Sequence, residues 1–126
     1  MRIYKNKAFA RFARKENLSD RKLCNVIKEI EAGSVDAKLG GGVIKQRVAR
    51  PNEGKSGGYR TIILYRRADK AFFVFGFKKS DEDNITKDDE AAYKKLASIV
   101  LNLPDEQLKK QVKAGYFTEV NYEEKN

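Results

Sequence analysis

The chain has no histidine among its 126 residues. A Ser-His-Asp triad is therefore excluded, and so is a ribonuclease mechanism built on paired histidines. Cysteine is almost absent as well, with Cys24 alone. A single cysteine cannot form an internal disulfide framework, and without histidine it leaves no ligand set for a typical zinc site. Cys24 lies between apolar residues in a helical pattern, so it is expected as a small core residue. No apolar run approaches the roughly 18 residues of a membrane span. The basic N-terminus lacks the apolar stretch and cleavage site of a secretory signal. A reducing cytoplasm is the expected compartment, with no membrane partner. No repeat or low-complexity linker divides the sequence, so residues 1–126 are expected to form one domain, frayed from about residue 121.

What is present is positive charge, unevenly placed. The net charge is +9. Residues 1–37 carry 9 basic and 5 acidic side chains, residues 38–79 carry 11 and 2, and residues 80–126 carry 7 and 11. The middle third therefore holds the whole excess. Such a block points to a polyanionic partner, with nucleic acid the natural one. No segment joins a basic face to a large apolar face, which argues against a membrane surface.

Periodicity gives the elements. Lys5 to Asn17 reads as a helix with Phe9, Phe12 and Ala13 on one stripe. Ser19 can cap a second helix whose stripe is Leu23, Val26, Ile27 and Ile30, closed by Gly33. The two are expected to form a helical hairpin lying on a sheet. Met1 to Tyr4 can add a strand. From Val43 to Arg50 a period of two puts Ile44 and Val48 on one face and Lys45 and Arg47 on the other. Tyr59 to Arg67 and Ala71 to Phe77 are apolar on nearly both faces, as central strands are, and Arg67-Ala-Asp-Lys70 turns between them. Thr86 with Asp89 reads as a capping box. The helix after it carries Tyr93, Leu96, Ala97, Val100 and Leu101 on one face. Pro104 suits the first turn of a last helix, which Gly115 stops before an extended Tyr116 to Val120. The expected fold is α+β, a small, mainly antiparallel sheet against an N-terminal helical hairpin, with C-terminal helices.

The chemistry open to these residues is narrow. Asp81, Glu82 and Asp83 match no metal loop and read as a solvated turn. Gly54-Lys-Ser-Gly-Gly lacks the spacing of a phosphate-binding loop and precedes a strand, not a helix. Neither a metal nor a cofactor is expected. The remaining constellation is cationic: Lys45, Arg47, Lys55, Arg60, Lys78 and Lys79. RNA can be cut without metal when its own 2′-hydroxyl attacks the neighbouring phosphate. Arginine suits the charge that develops on the phosphoryl oxygens, because its charge is permanent and its fork matches phosphate. Lysine serves as acid or base where nearby cations and desolvation lower its pKa. On chemistry alone, such a patch is a binding surface or a catalytic one.

The segments Leu39-Gly-Gly-Gly-Val-Ile-Lys-Gln-Arg, Gly54-Lys-Ser-Gly-Gly-Tyr-Arg-Thr-Ile and Phe73-Val-Phe-Gly-Phe-Lys-Lys resemble the RelE/HigB branch of the RelE/ParE toxin superfamily. Phe9-Ala-Arg-Phe-Ala-Arg-Lys and Ala114-Gly-Tyr-Phe-Thr-Glu-Val extend the resemblance over residues 1 to about 120. It implies a RelE-like fold and the toxin of a type II toxin–antitoxin system, an endoribonuclease that cuts messenger RNA in the ribosomal A site. It implies that Arg60 stabilises the developing phosphoryl charge and that Lys45 and Arg47 bind phosphate and help to move protons. Lys78 or Lys79 would assist the leaving group, with Lys79 the catalytic candidate. Lys55, Lys78, Tyr59 and Arg50 would complete the RNA-binding surface. The implied partners are messenger RNA, the ribosome with its ribosomal RNA, and a cognate antitoxin, often a helix-turn-helix protein. Many relatives carry a tyrosine or histidine shortly after the last core strand; Asp81-Glu-Asp-Asn-Ile-Thr has neither, which leaves the general base unassigned. The related ParE branch shares the fold but inhibits DNA gyrase without cutting RNA, and an inactive RNA-binding relative is a further alternative.

Overall fold

A computed structural model describes residues 1–50, 58–79 and 84–121. Lys55, the acidic run 81–83 and the tail from 122 lie outside the described residues. The elements run β1 (Arg2–Asn6), α1 (Lys7–Lys15), α2 (Asp20–Glu31), β2 (Ala37–Gly40), β3 (Val43–Val48), β4 (Tyr59–Arg66), β5 (Lys70–Lys78), α3 (Lys87–Val100), α4 (Asp105–Lys113) and β6 (Phe117–Glu119). The strands form one sheet in the order β2-β3-β4-β5-β1-β6. All neighbours are antiparallel except β1 and β5, which are parallel.

The expected N-terminal helical hairpin is not what opens the chain. A strand does, and it inserts between β5 and β6. Lys5 pairs with Phe73 on one side and Thr118 on the other, so it belongs to β1, not to a helix. Helix α1 begins two residues later because the Asn6 side chain accepts the Phe9 N–H at 2.8 Å. It then packs mainly on β5 and β1. The other helix ends follow the sequence signals. Ser19 accepts from Lys22 N–H, and Thr86 and Asp89 complete a capping box. Gly33 and Gly115 take the positive φ that ends α2 and α4. The hairpin joining β2 to β3 turns on Gly41 and Gly42, whose φ angles of 61° and 84° suit a type I′ turn.

Helices cover both faces of the sheet. On one face α1 and α2 enclose Phe9, Leu23, Ile27, Ile44, Ile63 and Phe73. On the other, α3 and α4 enclose Val43, Ile62, Leu64, Phe72, Ala97 and Leu108. The two apolar faces of β4 and β5 are thus both used, which is why alternation is lost there. The C-terminal end of α3 is fixed by Arg66, which donates to Leu101 C=O at 2.6 Å and Asn102 Oδ1 at 2.7 Å. Lys70 donates to Leu103 C=O at 3.3 Å.

The strands β4 and β5 do not stay in one register. Ile63 faces Phe73, but Ile62 faces Phe75, so Val74 is an extra residue in β5. Beyond it, Gly76 lies beneath α1, where an added Cβ would sit 2.5 Å from the Phe12 ring. Overpacking of this kind typically costs about 1–3 kcal/mol. Gly76→Ala is therefore expected to lower stability by that amount in guanidinium unfolding. An unchanged midpoint would show that α1 is not seated on Gly76 as described.

Candidate nucleic-acid interface

Strand parity builds the site. Gln46 and Val48 of β3 and Tyr59 and Thr61 of β4 point toward the α1–α2 face. Their neighbours Lys45, Arg47 and Arg60 therefore point to the opposite face, the one that carries α3. Register then aligns them. Arg47 lies directly across from Arg60, and Arg60 directly across from Phe77. One step inward, Lys45 faces Ile62, which faces Phe75. The result is a cationic row at one end of the sheet, floored by aromatic rings.

Two arginines directly opposed on adjacent strands repel, at a cost of roughly 0.2–1 kcal/mol. The fold moderates this with Asp36, just before β2. Its carboxylate accepts from Arg47 N–H and pairs with the guanidinium at 3.1 Å. Arg60 donates to Tyr59 C=O at 3.4 Å and remains half-exposed. Lys45 donates to Asn84 Oδ1 at 3.1 Å, in the turn before α3. Phe75 stands between Phe77 at 5.8 Å and Tyr93 of α3 at 6.3 Å, centroid to centroid. Strand-borne cations beside aromatic rings can hold phosphate oxygens and an adjacent base.

Not every expected residue joins the row. Lys79 lies one residue past β5, exposed, with its backbone N–H on Gly58 C=O at 3.5 Å. It has the parity of Phe77, and so of the cationic face. Lys78 has the other parity and pairs with Glu16, at the C-terminal cap of α1, at 3.7 Å. Tyr59 is 2% exposed on that same far face, where its hydroxyl donates to Glu16 at 3.0 Å. Its ring meets Phe12 edge-on at 5.5 Å, and the Arg50 guanidinium lies 5.5 Å above it. Tyr59 and Lys78 thus meet at Glu16, with Arg50 against the Tyr59 ring, across the sheet from Arg60. Lys55 lies outside the described residues. Sequence reasoning missed Asp36, Phe75, Phe77, Asn84 and Tyr93 as neighbours of the row. Phe75 and Phe77 gave a signal only as part of an apolar strand, and Tyr93 as an aromatic on the apolar stripe of α3.

A cavity of about 470 Å³ lies elsewhere, where Ile30, Gly33, Val43, Tyr65 and Arg67 meet. It includes none of the row. Among the described residues no group of three histidine, cysteine or carboxylate side chains could hold a metal ion, and no helix is long and apolar enough to cross a membrane.

Burial raises the Tyr59 phenol above its ordinary pKa, and the hydrogen bond to Glu16 adds to the effect. Tyr59 is therefore poorly suited to act as a base. Burial likewise raises Tyr4 and Tyr65. Unfolded tyrosines lose protons near about pH 10, so above it the folded state binds more protons than the unfolded one. The stability contributed by these phenols is present below that pH and lost as pH rises through their folded pKa values. Guanidinium midpoints should fall above about pH 10, and Tyr59→Phe should reduce the fall. An equal fall in both proteins would remove Tyr59 from this account.

Against this geometry stand the comparisons with known proteins. A family model described as the RelE toxin of the RelE / RelB toxin–antitoxin system matches residues 1–120. No match is found among the curated proteins.

Proposed function

Since the chain belongs to the RelE toxin family and so is the toxin of a toxin–antitoxin pair, we propose that it blocks translation by cutting messenger RNA on the ribosome, without metal. The juxtaposition of Arg47 and Arg60 carries this reading. A structural role does not call for two opposed guanidinium groups, whereas a phosphate between them turns repulsion into binding.

The proposed reaction is an internal transesterification. The 2′-hydroxyl oxygen attacks the adjacent phosphorus and loses its proton. The bond from phosphorus to the 5′-oxygen breaks, and that oxygen gains a proton. A 2′,3′-cyclic phosphate and a free 5′-hydroxyl remain. Arg60 stabilises the charge that grows on the non-bridging oxygens. Arg47 and Lys45 hold the phosphate and help to move protons, and Lys79 assists the departing oxygen. Phe75, Phe77 and Tyr93 give a neighbouring base an apolar wall. Ribosomal RNA phosphates supply a further salt-dependent attraction for the basic face.

Primer extension on a translated message after expression tests the proposal. Discrete cuts that need translation, with cyclic phosphate ends, are expected. Intact messages with arrested DNA replication would instead indicate a ParE-like gyrase inhibitor and sink it. Arg60→Ala should slow cutting by roughly 100- to 1000-fold, the scale of losing one oxyanion donor. Its stability should stay within about 1 kcal/mol of the parent. Full toxicity in a folded Arg60→Ala protein would count heavily against the site.

A further inference from the structure

Helix α3 carries one large apolar side chain that its buried stripe does not use, Ile99. Ala97, Val100 and Leu101 enter the core beneath it. Leu96 on its flank and Leu103 just past its end are partly buried against that core, and Ile99 stands exposed beside them. Ile99 is 62% exposed and Tyr116 56% exposed; among the described residues only Met1 joins them as a large exposed apolar side chain. Ile99 and Tyr116 line one groove of about 440 Å³, together with Ala8, Leu96, Leu103 and Phe117. Exposed apolar surface gathered in one concave place marks a docking site.

The rim says what docks. The Lys7 ammonium lies 5.2 Å from the Tyr116 ring centroid. Arg11 lies one turn along α1 from Lys7, and Lys95 one turn before Ile99. No carboxylate lines the groove. An apolar floor with a cationic rim suits an amphipathic peptide that carries an apolar anchor and acidic flanks. An RNA base could stack on the Tyr116 ring but would not fill the aliphatic floor of Leu96, Ile99 and Leu103. A second copy of this chain would bring the same net charge of +9 against the same cations. The family supplies a partner that must bind this chain, its antitoxin.

We infer that this groove is the anchor site for an acidic, amphipathic segment of the cognate antitoxin. The inference rests on family membership and not on RNA cutting. The groove takes no residue from β3 or β4, so Ile99 can be changed without touching Arg47 or Arg60.

The test measures binding between this chain, purified, and its cognate antitoxin. Ile99→Glu should weaken binding at least tenfold, and Ile99→Ala several-fold, while Arg47→Ala should bind like the parent. In cells, Ile99→Glu should still arrest growth, and co-expressed antitoxin should no longer relieve the arrest. Titration of the purified variant, its fold checked by circular dichroism, reads the groove even if the proposed RNA cutting fails. Should Ile99→Glu not fold, Ile99→Ala decides alone, since truncating an exposed side chain leaves the core intact. Unchanged affinity in the folded variants would overturn the inference. So would self-association that Ile99→Glu abolishes with antitoxin affinity intact, because the groove would then belong to a second copy.

Discussion

Asn6 ends β1, caps α1 and donates its amide N–H to the carbonyl of Val74 at 3.1 Å. Val74 is the extra residue that shifts β5 against β4, so this one side chain ties a strand, a helix and a bulge together. The bulge decides which residues share each face. Before it, Phe72 faces α3 and Phe73 faces α1; after it the parity is exchanged. Phe75 and Phe77 turn toward α3, and Gly76 and Lys78 turn toward α1. Were Val74 paired in register with Ile62, Gly76 would lie opposite Arg60, and Phe75 would take its place beneath Phe12. The floor of the cationic row and the seat of α1 follow from the same inserted residue.

Charge is then sorted by strand parity. Lys45 and Arg47, at odd positions on β3, reach the α3 face, while Arg50, at an even position, reaches Tyr59. The sheet thus separates two cationic groups that the sequence runs together. One lies about Tyr59 and the Glu16 carboxylate at the end of α1 and serves packing. The other opposes Arg47 to Arg60 and tempers the first with Asp36. Helix α3 closes the inner end of that row through Tyr93, and its own far end is held by Arg66 and Lys70.

Much of this could be read from the chain. The caps at Ser19 and Thr86, the central character of β4 and β5, and the shared face of Lys45 and Arg47 are local properties, and local pattern carries them. The position of β1 could not be read, because Lys5 looks helical until Phe73 and Thr118 flank it. β2 is four residues long, and its alternation of Ala37 and Leu39 with Lys38 and Gly40 is too short to read as a strand. The choice between Lys78 and Lys79 depended on the bulge. Bulges arise from the fit of two strands and leave no mark in the sequence of one. Asp36 reaches Arg47 only because β2 folds back along β3. Tyr59 and Arg50 looked like surface residues beside a glycine-rich loop, yet alternation turned them under α1.

The cations of the row sit on paired central strands and not on loops. Backbone paired in a ladder between neighbouring strands has less freedom to change shape than a loop. Phosphate ligands held this way are always presented, with their ordering cost met when the chain folds. On the proposed reading, such a site has no resting form of its own to fall back to. Restraint must come from another molecule, so the ratio of antitoxin to toxin, and not a shape change in the toxin, becomes the switch.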